Sequence, residues 1–166
     1  RMSCIYGQRQ FGTEDQGWVA HFLLRALDGE PITLFGDGKQ VRDILFVDDL
    51  VDAFVLAQRN IGKLAGAAFN IGGGPRNVIS LLDLLDQIEV LEGKRPETAH
   101  EDWRTGDQRY YVSDTRRFEA ATGWRPAIDA RHGIERLHQW LREMRAQPAT
   151  ARKSGQRRPV LAAAGR

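Results

Sequence analysis

The stretch Phe35-Gly36-Asp37-Gly38-Lys39-Gln40-Val41-Arg42-Asp43-Ile44-Leu45-Phe46-Val47-Asp48-Asp49-Leu50 changes backbone character twice in sixteen residues. Ile32 to Gly36 and Lys39 to Phe46 are β-prone, and the Asp37-Gly38 dipeptide between them predicts a hairpin. Val47-Asp48-Asp49-Leu50 then opens a helix to about Arg59, with an Asp available as cap and acidic charge favourable at the positive helix end. Working outward, Trp18 to Leu27 has an apolar face at helical spacing, and Gly29 stops it. Arg1 to Gly7 reads as a buried, central parallel strand entering a turn. On the other side, Ala67 to Ile71 is predicted as a short buried strand, broken by Gly72-Gly73-Gly74-Pro75. Ser80 caps a helix from Leu81 to about Leu91, Arg104 to Gln108 is a polar loop, and Tyr110 to Val112 is extended. Asp114 caps a helix that ends at Gly123, and a last helix spans about Ala130 to Arg145. Alternation of strands with helices puts the chain in the α/β class.

The 166 residues are 42% hydrophobic and 28% charged, a globular composition with enough chain for one core. The apolar runs fall short of the roughly 20 residues that span a bilayer. Arg1 leads straight into a strand, so the sequence reads as starting in the middle of something larger. The single cysteine, Cys4, cannot form an internal disulfide, and a reducing, cytoplasmic setting is the expectation. The basic charge is concentrated at one end: residues 147–166 hold Arg152, Lys153, Arg157, Arg158 and Arg166 with no acid, which leaves residues 1–146 at −3 against the chain's +2. The expected organisation is a folded body, 1–146, and a disordered basic tail, 147–166. A net negative body with no base-stacking platform argues against a nucleic-acid role.

Few residues stand out as chemistry. Gly72-x-Gly74 after a strand resembles the start of a dinucleotide fingerprint, but Asn77 holds the third glycine position and the region about 20 residues on is helical, so a plain turn is the better reading. In Gln40-Val41-Arg42-Asp43, Arg42 offers a fork suited to phosphate, against the ordinary reading of a solvated ion pair. Arg104-Thr105-Gly106-Asp107 could hold a phosphate and a sugar hydroxyl, against the ordinary reading of an Asx turn. His21, His100, His132 and His138 have no metal spacing, and Asp48-Asp49 reads as a cap rather than an acid/base dyad. Trp124 and Trp140 read as core.

The order of these pieces is more telling than any one of them. The runs Arg1 to Gly7, Phe35 to Asp43, Val47 to Leu50, Phe69 to Gly73, Arg104 to Arg109 and Gly123-Trp124-Arg125-Pro126 resemble the C-terminal half of the extended short-chain dehydrogenase/reductases, over about residues 1 to 145. Tyr6 to Val19, with Asp15-Gln16-Gly17-Trp18, and Asp107-Gln108-Arg109 look like the CDP-paratose 2-epimerase (CDP-tyvelose epimerase) branch. The resemblance implies the last strands and helices of an NAD-binding Rossmann domain plus a smaller α/β substrate-binding domain. It implies that Arg42 and Arg104 hold a pyrophosphate, that Phe35 and Ile79 border the base, that Asp107 accepts from a ribose hydroxyl, and that Gln16 lines the nucleotide pocket.

Two departures stand beside it. Cys4 replaces an Asn of the family, a weak thiol donor for a polar anchor. The family's Tyr-x-x-x-Lys pair is missing: the residues four beyond Tyr6, Tyr110 and Tyr111 are Gln10, Asp114 and Thr115. The N-terminal glycine fingerprint for NAD is missing too, so NAD is implied for the family and no catalytic residue is named here. The expectation is the nucleotide-sugar-binding part of an NAD-dependent sugar-nucleotide epimerase, acting on a CDP- or UDP-sugar, inactive alone, with no nucleic acid or membrane partner and a homo-oligomer left open. A non-catalytic nucleotide-sugar-binding module and a fragment of a nucleotide-sugar dehydratase or 4-epimerase are the alternatives.

Overall fold

The computed structural model describes residues 1–146; the expected basic tail lies outside the described residues. The elements run β1 (Cys4–Tyr6), α1 (Trp18–Asp28), β2 (Ile32–Phe35), β3 (Val41–Phe46), α2 (Val47–Arg59), α3 (Ile61–Leu64), a 3₁₀ turn (Gly74–Arg76), β4 (Val78–Ser80), α4 (Leu81–Glu92), β5 (Thr98–Glu101), β6 (Tyr110–Tyr111), α5 (Arg116–Thr122) and α6 (Ala130–Ala146). This is the expected α/β alternation.

The strand β3 is the hub. Its first half pairs antiparallel with β4 and parallel with β6, and its second half pairs parallel with β1, Cys4 opposite Ile44 through Tyr6 opposite Phe46. Because side chains alternate across a strand, β3 divides two cores. Ile44 and Phe46 join Tyr6, Leu23, Leu84, Leu85, Ile134 and Leu137 on one face, while Leu45 joins Leu50, Ile71, Phe118 and Trp124 on the other. The strand β1 alternates in step: Tyr6 belongs to the first core and Ile5 packs against the second.

The helix stops behave as their residues demand. Gly29 and Gly123 sit in the left-handed conformation that ends α1 and α5. Ser80 and Asp83 form a reciprocal capping box on α4. Asp114, expected as the cap of α5, stands one residue too early: the cap position is Thr115, whose side chain makes no capping bond, and Asp114 accepts from the Arg116 backbone N–H at 3.1 Å. Its two-point contact with Arg116 holds its carboxyl down to about 2.

Three further expectations are corrected. The Asp37-Gly38 segment joins no hairpin: β2 pairs with β5, parallel, in a separate two-stranded sheet, and β3 pairs elsewhere. Gly36 and Gly38, both at positive φ, turn the chain from one sheet to the other, and the Trp103 ring lies where a Gly36 side chain would stand. Residues 67–71 form one parallel bridge, Met2 to Ile71, rather than a strand. No Asp side chain caps α2, whose cap residue is Phe46. Asp49 instead accepts from the backbone N–H groups of Ala127 and Ile128, each at 3.0 Å, and fastens α2 to the segment before α6. Asp48 pairs with Arg136 at 2.8 Å.

Close approach of α6 to β1 depends on Gly133. A Cβ there would lie 2.0 Å from the Tyr6 hydroxyl oxygen, which donates to the Ala130 carbonyl at 3.2 Å. Burial raises the Tyr6 pKa, with Asp129 and Asp49 adding to it, so the phenol keeps its proton.

Candidate functional site

One cavity of about 220 Å³ gathers residues from four separated segments: Glu14, Asp15, Gln16, Gly17, Trp18, His21 and Phe22; Thr33, Phe35, Gln40 and Arg42; Leu81; and Arg104 with Asp107. Its first wall is a tight turn. Thr13 and Gln16 exchange backbone hydrogen bonds, at 2.8 and 3.2 Å, which places Glu14 and Asp15 at the tip. Gly12 has no room for a side chain, since a Cβ would lie 2.3 Å from the Gly17 carbonyl oxygen. The Gly17 backbone, at φ 76°, then starts α1 and brings His21 to the cavity.

The second wall is β3 and the turn before it. Gln40 and Arg42 stand two apart, on one side of the strand. The Arg42 Nη2 donates to Asp107 Oδ1 at 2.6 Å and Nη1 to its own Val41 carbonyl at 2.8 Å. Gln40 is buried, and its Nε2 donates to the Phe35 carbonyl at 2.7 Å and to Asp107 Oδ2 at 3.4 Å. Its Oε1 is buried without a protein partner. Asp107 is thus gripped from two sides, and the Arg42 fork is held at the cavity by a partially buried ion pair.

The third wall is Arg104. Its guanidinium carbon lies over the Phe35 ring, 3.8 Å from the centroid. Its edge is held by the 13–16 turn: Nη1 donates to the Glu14 carbonyl and Nη2 to Glu14 Oε1, both at 3.3 Å, with Asp15 Oδ1 at 3.6 Å. Both arginines therefore carry carboxylate partners across the cavity. His21 is held below its ordinary pKa by burial and by Arg25, with Arg104 adding to this and Glu14 opposing it, so the ring is neutral at pH 7.

Of the residues singled out in the sequence, Gln16, Phe35, Arg42, Arg104 and Asp107 meet at this cavity. Ile79 does not: it is buried in the first core, opposite Arg42 on β4, and Leu81 supplies the apolar lining instead. The position two residues on falls after the chain has left the strand, which periodicity alone does not mark. Glu14, His21, Thr33 and Gln40 line the cavity without having been singled out. Gln40 had a signal, its two-residue spacing from Arg42; Glu14 had none, being an acid on an exposed turn.

The Gly72 segment holds protein rather than a cofactor. A Cβ on Gly73 would lie 2.1 Å from the Ile44 carbonyl oxygen, and one on Gly72 would meet Ser113 and Asp43. A 3₁₀ turn and a strand follow, not a helix. Among the described residues no group of acidic, Cys and His side chains has metal-binding geometry, and no helix is long and apolar enough to cross a membrane.

Comparison with known proteins fits this arrangement. Residues 1–72 match the NAD dependent epimerase/dehydratase family. CDP-paratose 2-epimerase from Salmonella typhi is 37% identical over 145 residues, covering 84% of this chain and 43% of that protein. UDP-glucose 4-epimerase from Mycolicibacterium smegmatis is 36% identical over 83% of this chain and 43% of its own length. The chain thus spans less than half the length of these relatives. Among solved structures, UDP-glucose 4-epimerase from Thermotoga maritima with UDP-glucose superposes at TM-score 0.76 and 31% identity, over 87% of this chain and 45% of that one. MoeE5 in complex with UDP-glucose and NAD gives TM-score 0.76 at 29% identity, over 88% and 47%. The α/β fold is thus shared with these structures, and over residues 1–72 the chain belongs to the NAD dependent epimerase/dehydratase family.

Proposed function

We propose that this chain is the nucleotide-sugar-binding part of an NAD-dependent sugar-nucleotide epimerase of the CDP-paratose 2-epimerase kind. The observation that carries the reading is the meeting of Arg42, Arg104, Phe35, Asp107 and Gln16 at one cavity, although they come from positions up to 91 apart in sequence. Two guanidinium forks suit the two anions of a pyrophosphate, an aromatic face suits a base, and a carboxylate suits a ribose hydroxyl. Asp107, now shared by Arg42 and Gln40, would turn one oxygen to the ribose as the pyrophosphate takes over Arg42.

The relatives whose names specify NAD point to hydride chemistry in the whole enzyme. The glycine run at residues 72–74 offers no cradle for that cofactor: Gly72 packs against Ser113 and Asp43, and Gly73 against the Ile44 carbonyl. No Tyr-x-x-x-Lys occurs in the sequence. The role assigned to these residues is therefore to bind and orient the nucleotide sugar, and no hydride or proton-transfer step is assigned to them.

Isothermal titration of the chain with a CDP-sugar and a UDP-sugar tests the reading. Arg42→Ala should weaken binding at least about tenfold, since a charge-assisted contact is worth about 1.5 to 3 kcal/mol. An affinity unchanged by that substitution would return Arg42 to a purely structural ion pair with Asp107.

A further inference from the structure

We propose that Glu14 selects the base, favouring a pyrimidine with an exocyclic amine, cytosine, over one with a carbonyl at that place, uracil or thymine. The inference rests on the reading of the cavity as a nucleotide-sugar site and deepens it. What carries it is the position of the Arg104 guanidinium, which is a planar, π-delocalised group with N–H donors on its edge. It lies 3.8 Å above the Phe35 ring and turns its donor edge to two acceptors of one residue, the Glu14 carbonyl and Glu14 Oε1, with Asp15 Oδ1 beyond.

A base stacked on Phe35 would occupy the same slab of space and meet the same edge. The 4-amino group of cytosine carries two N–H donors, and the turn offers two acceptors side by side, one of them a carboxylate. Uracil presents a carbonyl oxygen there, which no acceptor can satisfy and which the carboxylate repels. Arg104 stands in for the base in this structure. When it swings off Phe35 toward the pyrophosphate, the acceptors it leaves behind are the ones an aminopyrimidine needs. The turn is rigid enough to discriminate, because the reciprocal Thr13–Gln16 bonds and the crowded Gly12 fix its tip.

The test is the ratio of CDP to UDP dissociation constants, measured by titration calorimetry on the chain and on Glu14→Gln, Glu14→Ala and Arg42→Ala. The ratio is the informative quantity because loss of Glu14 also frees Arg104 and shifts both affinities together. The chain itself should favour CDP by about tenfold or more, the scale of one charge-assisted hydrogen bond. Glu14→Gln, whose amide can donate to a carbonyl, should bring the ratio near one, Glu14→Ala should reduce it, and Arg42→Ala should weaken both nucleotides while keeping it. A ratio near one in the unaltered chain, or a CDP preference untouched by both Glu14 substitutions, overturns the inference and leaves the pyrophosphate reading standing if Arg42→Ala still weakens binding. Absence of binding by either nucleotide overturns both. Glu14 is half exposed at a turn, and circular dichroism of each variant checks that the fold is kept.

Discussion

Asp49→Asn changes one atom type and should cost the fold heavily. The carboxylate is buried, 2% exposed, and each oxygen accepts one backbone N–H, from Ala127 and Ile128, at 3.0 Å. An amide keeps one of those bonds and points its own donor at the second N–H. The loss is one charge-assisted bond, about 1.5 to 3 kcal/mol, with a further penalty of about 1 to 3 kcal/mol for the N–H left unpaired. Allowing for local relaxation, about 3 kcal/mol is expected, which for a chain of this size is a fall in Tm of roughly 6 to 12 °C. The neighbouring Asp48→Asn is the internal control: its pair with Arg136 is about half exposed on both sides, and such pairs contribute about 0 to 1 kcal/mol. Thermal unfolding followed by circular dichroism measures both variants side by side. A drop for Asp49→Asn no larger than that for Asp48→Asn would refute the staple reasoning and return the pair to an ordinary acidic helix start.

Two further outcomes are expected. Gly133→Ala replaces the residue of α6 that a helix favours least, a change normally worth about 1 kcal/mol of stability, yet it should destabilise by about 1 to 3 kcal/mol because the new methyl meets the Tyr6 hydroxyl; Tyr6→Phe in the same chain should recover part of the loss, and a stabilised single variant would show that α6 has room to move. His21 is held below its ordinary value of 6.5, so the folded chain binds fewer protons there than the unfolded one. Its contribution is complete above pH 6.5 and is lost as pH falls through the lowered value, so His21→Asn should flatten the decline in Tm below pH 6.5, and identical profiles would remove His21 from the acid response.

What the sequence made legible was local chemistry. Gly29, Ser80 and Gly123 each impose a helix boundary within a residue or two of themselves, and the structure puts boundaries there. The Asp37-Gly38 signal failed because pairing is decided elsewhere. The partner of β2 is β5, 66 residues on, and turn chemistry contains no record of it. Arg42, Arg104 and Asp107 came from motif order and proved to be neighbours, whereas Glu14 became visible only as the group that holds the Arg104 edge. Asp49 had the acidic, helix-start signature of a cap, and nothing nearby distinguishes a side chain that serves its own helix from one that serves backbone 78 residues away.

The staple at Asp49 also bears on when the cavity comes into being. The contacts that hold its walls together join residues far apart in the chain, Arg42 to Asp107 and Glu14 to Arg104, as do the staples elsewhere in the fold, Asp49 to Ala127 and Ile128 and Tyr6 to Ala130. Loops of this length must be closed before any of these bonds forms, and such closure slows folding. The local units, α1 with its glycine stop and α4 with its capping box, can form early. The cavity is then a late product of folding, complete only after its distant walls have met, and substitutions that loosen those long-range contacts should open the cavity before they dissolve the helices.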